Sequence, residues 1–223
     1  MSRKKLPRFE HNKNAANVIE RGKELYTIIK GKWNKSYFKN DNKIILELAC
    51  GKGEYTVGLG KRFKENNFIG IDIKGDRIAR GSKIAESLDL NNVAFLRTGI
   101  QFLDEFFVPE EVSEIWLIHP DPQPRDKEEK RRLTNQKFLN IYKRYLKNEG
   151  LFHLKTDSEF LFDYSMEVIK KDPEFEIISF TKDLYNSNLK EEHFEIKTHY
   201  EKLFQDQGST INYLKAKYLK KAH

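Results

Sequence analysis

Cysteine is almost missing from this chain: Cys50 stands alone among 223 residues, so no disulfide can close within it, and a reducing cytoplasm is the expected compartment. No apolar run approaches the roughly 20 residues that a membrane-spanning helix needs. The basic start, Met1-Ser-Arg-Lys-Lys-Leu-Pro-Arg8, is not followed by the apolar stretch of a secretion signal. The six histidines do not cluster at ligand spacings, so no metal site is expected. Internal repeats and low-complexity blocks are also missing. What remains is a soluble protein of one large domain, or of one domain with extensions.

Aromatics are plentiful, with 16 Phe and 10 Tyr, so a sizeable core can be built. Charged residues make up 34% of the chain, the formal net charge is +7, and the pI is about 9.2. A basic balance favours a polyanionic partner, although many basic proteins bind no nucleic acid.

Residues 1–42 are basic and polar with scattered aromatics, and read as an N-terminal extension with one short helix near Val18–Ile29. From residue 43 to 223 the pattern is that of a folded domain. Apolar runs at Ile44–Leu48, Phe68–Asp72, Val93–Leu96, Glu114–Ile118 and Leu151–Lys155 read as buried strands, with further strands at Phe175–Phe180 and Ile211–Ala216. Helical stretches follow the first strand as far as Phe63, then cover Arg77–Leu88, Thr134–Leu146 and Glu159–Lys170. Strands alternating with helices imply an α/β fold, a mostly parallel sheet with helices on both faces. Ligands of such sheets sit beyond the carboxyl ends of the strands, so the loops there carry the function.

The first strand ends in Glu47-Leu-Ala-Cys-Gly-Lys-Gly53, and the second ends in Asp72. Gly51 and Gly53 let the backbone approach a ligand. Asp72 stands where an acid can bond a ribose diol. A dinucleotide fingerprint would require a third glycine where Thr56 stands, and gives Glu47 no task. An ordinary strand-to-helix turn with two solvated acids is the plainer alternative. Cys50 reads as a small packing residue. The stretch resembles the first motif of class I S-adenosylmethionine-dependent methyltransferases. That resemblance implies a Rossmann-like fold with Glu47 near the methionine end of S-adenosyl-L-methionine and Asp72 on the ribose. Thr98 and Gly99, after the third strand, join the expected cofactor set.

After the fourth strand comes His119-Pro-Asp-Pro-Gln-Pro-Arg125, then Lys130-Arg-Arg-Leu-Thr134. The fifth strand ends in His153-Leu-Lys-Thr-Asp157, and Thr198-His-Tyr-Glu201 lies further on. In order and spacing these are similar to the bacterial tRNA (guanine-N7-)-methyltransferase family, over most of Ile44–Tyr213. The resemblance implies methyl transfer to N7 of a guanine in tRNA, in the cytoplasm, by a monomer or homodimer, with no membrane and no metal. It makes Asp121 the catalytic acid, at the junction of cofactor and base. It makes Arg125, Asp157, Thr198, His199, Tyr200 and Glu201 substrate-binding residues.

The chemistry is reasonable without the name. N7 of guanine carries a free lone pair, so alignment is the main requirement. A carboxylate can stabilise the positive charge that appears on the purine. The Arg125–Arg132 segment, with Lys127, Lys130 and Arg131, suits phosphate contacts, against a plainer reading as a solvated charge run diluted by Asp126, Glu128 and Glu129. The lysines at 215, 217, 220 and 221 read as a solvated strand edge and tail, Asp157 doubles as a helix N-cap, and His119 is a packing residue.

The chain departs from the family pattern at Ala49 in place of the first glycine, in Arg97-Thr-Gly-Ile-Gln101 without the usual acid, and at Gln123 in place of tryptophan. His119 also stands where an aromatic is common. Three other readings remain: a class I methyltransferase for another RNA site or a small molecule, a non-catalytic RNA-binding protein with the same fold, and a nicotinamide dehydrogenase.

Overall fold

The computed structural model describes residues 5–199, 201 and 208–221. Tyr200 lies outside the described residues. The helices are α1 (Leu6–Asn14), α2 (Glu24–Ile28), α3 (Glu54–Arg62), α4 (Gly75–Ser87), α5 (Gln136–Tyr145) and α6 (Glu159–Lys171). The strands are β1 (Val18–Ile19), β2 (Lys43–Leu48), β3 (Asn66–Ile71), β4 (Val93–Leu96), β5 (Val112–Ile118), β6 (Leu146–Thr156), β7 (Phe175–Thr181) and β8 (Asn212–Tyr218).

Among the described residues the strands form one sheet in the order β1-β4-β3-β2-β5-β6-β8-β7. The pairs from β1 through β6 are parallel, while β8 enters antiparallel between β6 and β7. This is the expected mostly parallel α/β sheet. β8 is an interior strand, so its lysines do not line a sheet edge. Lys215 and Lys217 instead pair with Glu192 and Glu149.

The apolar strands alternate between two cores. Ile44, Leu46 and Leu48 of β2 point to the face that carries Trp33, Phe107, Tyr142 and Phe162. Ile45, with Trp116 and Ile118 of β5, points to the face that carries Tyr55, Ile78 and Leu184. Helices α5 and α6 belong to the first face, α3 and α4 to the second. Residue types buried on both sides explain why these strands read as continuous apolar runs.

The helix expected near Val18–Ile29 forms only over Glu24–Ile28. Val18 and Ile19 are instead a short strand, paired with Phe95 and Leu96. Two buried β-branched side chains fit a sheet edge better than an isolated helical turn. The residues ahead of 43 also give the core Trp33, whose Nε1 donates to the Phe106 carbonyl at 2.9 Å and whose ring stacks on Phe107. Helix α1 rests on α4, with Asn12 donating to the Gly75 carbonyl at 2.7 Å.

Candidate active site

The glycine turn leaves β2 in left-handed backbone. Ala49, Gly51 and Gly53 have φ of 55°, 55° and 67°. At Gly53 a Cβ would stand 2.4 Å from the Phe95 ring, so nothing larger than hydrogen fits. Ala49 adopts the same region with its methyl present, at a cost of about 1 kcal/mol. The turn is thus left-handed at Ala49 as well as at the two glycines.

Both acids hold the turn. Asp72 accepts from the Gly51 amide at 2.9 Å and from the Lys74 amide at 2.7 Å, one bond to each carboxylate oxygen. Each oxygen keeps lone-pair capacity for a further donor. Glu47 lies beneath the turn and accepts from the Thr56 amide at 2.7 Å and from the Thr56 hydroxyl. Burial pushes its carboxyl up to about 8, against the opposing pull of the Thr56 bonds.

Two clefts meet at Ala49. One is lined by Glu47, Gly51, Lys52, His119 and Thr198. The other is lined by Asp72, Ile73, Thr98, Gly99, Leu133 and Phe138. The second is largely apolar, with Asp72 at its rim, which suits a nucleoside: a flat ring between apolar walls and a diol at an acid. The structure thus brings Glu47, Gly51, Asp72, Thr98 and Gly99 to the walls of these clefts, while Gly53 packs against Phe95 beneath the turn and Asp121 lines neither cleft. The missing acid after β4 leaves Thr98 and the Gly99 backbone at that wall.

The acid loop begins where β5 ends. His119 and Gln123 both take φ of 46°, an uncommon conformation for residues with side chains. Pro120, Pro122 and Pro124 fix the backbone around them. The His119 amide donates to the Lys155 carbonyl at 2.8 Å. Arg132 Nε donates to the Gln123 carbonyl at 3.1 Å, and its guanidinium lies 4.7 Å from the centre of the Phe160 ring and 4.4 Å from that of Tyr164. Asp121 is exposed at the tip and accepts from the Gln123 amide at 3.3 Å.

Arg125 is exposed and forks onto Glu128, with Nε at 2.8 Å, so part of its charge is already answered. Lys127, Lys130 and Arg131 are exposed. Arg132 is buried and bolts the loop, so it leaves the set of residues open to phosphate.

The remaining positions form a knot behind the loop. His119 Nδ1 meets Asp157 Oδ1 at 2.9 Å, and Nε2 faces Glu201 Oε2 at 3.6 Å. Burial alone would lower the imidazole, but the hydrogen bonds and charges of Asp157 and Glu201 outweigh it and raise its pKa. Asp157 is not the N-cap of α6. That task belongs to Ser158, whose hydroxyl accepts from the Leu161 amide at 3.2 Å. Glu201 is fully buried, bonded by Lys155 Nζ at 2.7 Å and by the Tyr185 hydroxyl. Thr198 lines the cleft and caps the Glu201 amide at 3.2 Å. His199 is exposed, its amide donating to Glu54 at 2.9 Å.

Sequence reasoning missed Lys155 and gave His119 only a packing role. A lysine inside an apolar strand is a visible anomaly. The bridge made by His119 depends on Glu201, far along the chain, and left no local sign. Among the described residues no helix is long and apolar enough to cross a membrane, and no group of histidines, cysteines and acids is placed to hold a metal.

Residues 41–214 match a family described as a putative methyltransferase. The tRNA (guanine-N(7)-)-methyltransferase of Cytophaga hutchinsonii is 48% identical over 220 residues, covering 98% of this chain and 99% of that protein. The enzyme of the same name from Christiangramia forsetii is 46% identical, covering 97% and 98%. Among solved structures, the 16S rRNA methyltransferase KamB superposes with a TM-score of 0.61 at 11% identity, covering 83% of this chain and 92% of that one, a likeness of fold alone. With near-complete coverage at such identity, and with the glycine turn, both acids and the Pro-Asp-Pro loop on one edge of the sheet, this chain belongs to the tRNA (guanine-N7-)-methyltransferase family.

Proposed function

We propose that this protein transfers a methyl group from S-adenosyl-L-methionine to N7 of a guanine in tRNA, in the cytoplasm. The observation that carries the reading is the groove itself. A largely apolar cleft with Asp72 in its wall and a second, more polar cleft share Ala49 at the carboxyl end of β2, and His119, the first residue of the acid loop, lines the second.

Asp72 would hold the ribose hydroxyls, the Ile73–Gly99–Phe138 walls the adenine, and Glu47 with the Gly51 backbone the methionine end. When bound, S-adenosylmethionine supplies an electrophilic methyl group on a sulfonium sulfur. The protein's part is to align the acceptor and to answer charge. N7 needs no base to free its lone pair, so no residue must remove a proton before attack. Asp121 answers the positive charge that develops on the purine. Its effect grows as RNA covers the loop and excludes water. The rigid prolines and the Arg132 bolt spare Asp121 the entropy of being ordered at that moment. Asp157 and Thr198 form the acceptor's rear wall, with Glu201 buried behind them. Lys127, Lys130 and Arg131 are the exposed cations beside the loop and provide the phosphate footprint.

Labelled S-adenosylmethionine incubated with unmodified tRNA, with the modified base mapped afterwards, tests the reading. Label at guanine N7 is expected; label elsewhere, or none with cofactor bound, would overturn it. Asp121→Ala should lower kcat by about 100-fold or more while tRNA affinity changes little. Turnover at the wild-type rate would remove Asp121 from the chemistry.

A further inference from the structure

On the face of β5, β6 and β8 that carries Trp116 and Tyr213, the cover is the segment from Leu184 to Ile196, whose regular structure is one short turn at Lys190–His193. Side chains hold it there. Phe194 packs edge-on against Trp116 and Phe63. Glu192 accepts from the Tyr213 hydroxyl at 3.1 Å and from Lys215 at 3.0 Å. The segment leads into Thr198 and Glu201, and there it meets Lys155.

Lys155 has no exposed surface, and neither does Glu201. The ammonium is 2.7 Å from Glu201 Oε1 and 3.4 Å from the Ile196 carbonyl, with the Tyr55 and Tyr185 rings 5.3 and 5.7 Å away. Glu201 turns its other oxygen to the Thr198 amide at 3.4 Å and to His119 Nε2 at 3.6 Å. A single lysine on a rigid strand is thus the root of a chain of contacts, through Glu201 and His119, that ends at Asp157 and at the first residue of the acid loop.

Burying such a pair is a poor way to gain stability, since two charges lose their water and an apolar pair of equal volume often does as well. What a hydrogen-bonded ion pair does supply is direction. We propose that Lys155 is a positioning residue for the acceptor, holding Glu201, and with it Thr198, against His119 so that the rear wall of the acceptor cleft has one shape. Lys155 lies beneath that wall, and it acts through Glu201. The proposal rests on the acceptor-site reading given above.

Lys155→Met keeps an unbranched side chain, one atom shorter, and removes its charge. Calorimetry should give an affinity for S-adenosylmethionine within about twofold of wild type, while kcat/KM for tRNA falls about 100-fold, the scale of a misplacement near 1 Å. Hydrogen exchange should quicken at the Thr198 and His199 amides, whose acceptors are Glu201 and Glu54. Because the single variant leaves Glu201 buried without its counter-charge, Lys155→Met/Glu201→Gln serves beside it. Neutral on both sides, it should recover the melting temperature and keep the acceptor defect. Wild-type use of tRNA by the double variant would overturn the proposal, as would equal losses for cofactor and tRNA. If the wild type transfers no methyl group to tRNA, the functional reading alone fails. Exchange at the two amides then still decides, and unchanged exchange in Lys155→Met would overturn the positioning role.

Discussion

Glu47 is a carboxyl that the fold buries at a cost to its own ionisation. Its carboxyl is raised from 4.5 to about 8 because burial penalises the ionised form. The folded chain therefore keeps a proton that the unfolded chain has already released. By linkage, the contribution of Glu47 is intact below the unfolded value of 4.5 and is lost as pH rises through about 8. Glu47→Gln removes the titration. Relative to wild type, the variant's melting temperature should climb between pH 5 and pH 8, while its affinity for S-adenosylmethionine falls. Thermal melts at the two pH values check the sign, and a difference that stays flat with pH would assign the strain to another group. The same trade is visible at Ala49, where the chain accepts left-handed backbone at a residue with a side chain to keep the turn open toward the cleft.

At the level of elements, the acid loop is held by its neighbour more than by itself. Arg132 spans from the Gln123 carbonyl to the ring faces of Phe160 and Tyr164 on α6, so helix and loop move together. Arg132→Ala should cost about 2 kcal/mol in chemical denaturation, the sum of a cation–π contact and a charged hydrogen bond to a half-buried carbonyl, and should lower kcat more than it raises KM for S-adenosylmethionine. Lysine is no substitute, because a point charge cannot lie flat on two rings and reach the carbonyl. The strands of this half were readable in advance, since Ile115–Ile118 and Phe152–Leu154 are buried on both faces and, His153 apart, are apolar. The glycine turn was readable for the same local reason: Gly51, Gly53, Glu47 and Asp72 fall at spacings that only a strand-turn-helix can use. Arg132 was not. Its neighbours Lys130 and Arg131 do face solvent, and nothing within the run distinguishes the one cation that α6 covers. Nor was the true cap of α6 evident, with Asp157 and Ser158 adjacent and both able to serve; the tie to His119 decided between them. Val18–Ile19 misled for the converse reason, a helical setting overridden by a distant strand.

Across the whole molecule, the net charge of +7 gains meaning from where the cations are free. Lys215, Lys217 and Lys220 answer acids of their own surface. Among the exposed cations that follow Asp121, Arg125 and Arg131 share the single carboxylate of Glu128, so the segment keeps a net positive charge for a polyanion. Binding of tRNA should therefore weaken steeply with salt, and Arg125→Ala should reduce the slope of log K against log[salt] by about 1, or by less to the extent that Glu128 already neutralises it. Filter-binding titrations across a salt series measure this, and an undiminished slope would leave Arg125 outside the footprint. The order of the strands carries a further consequence, for synthesis. Strands β1 to β6 pair in parallel and are all made before β7, but β8, which must enter between β6 and β7, is made only after residues 182–211. While the ribosome adds that stretch, β6 is an open edge and β7, with Ile178 and Phe180 uncovered even in the finished sheet, has no strand beside it. The nascent chain can complete its donor half early, yet its acceptor half must wait for the last strand, and the interval is when this protein is most exposed to aggregation.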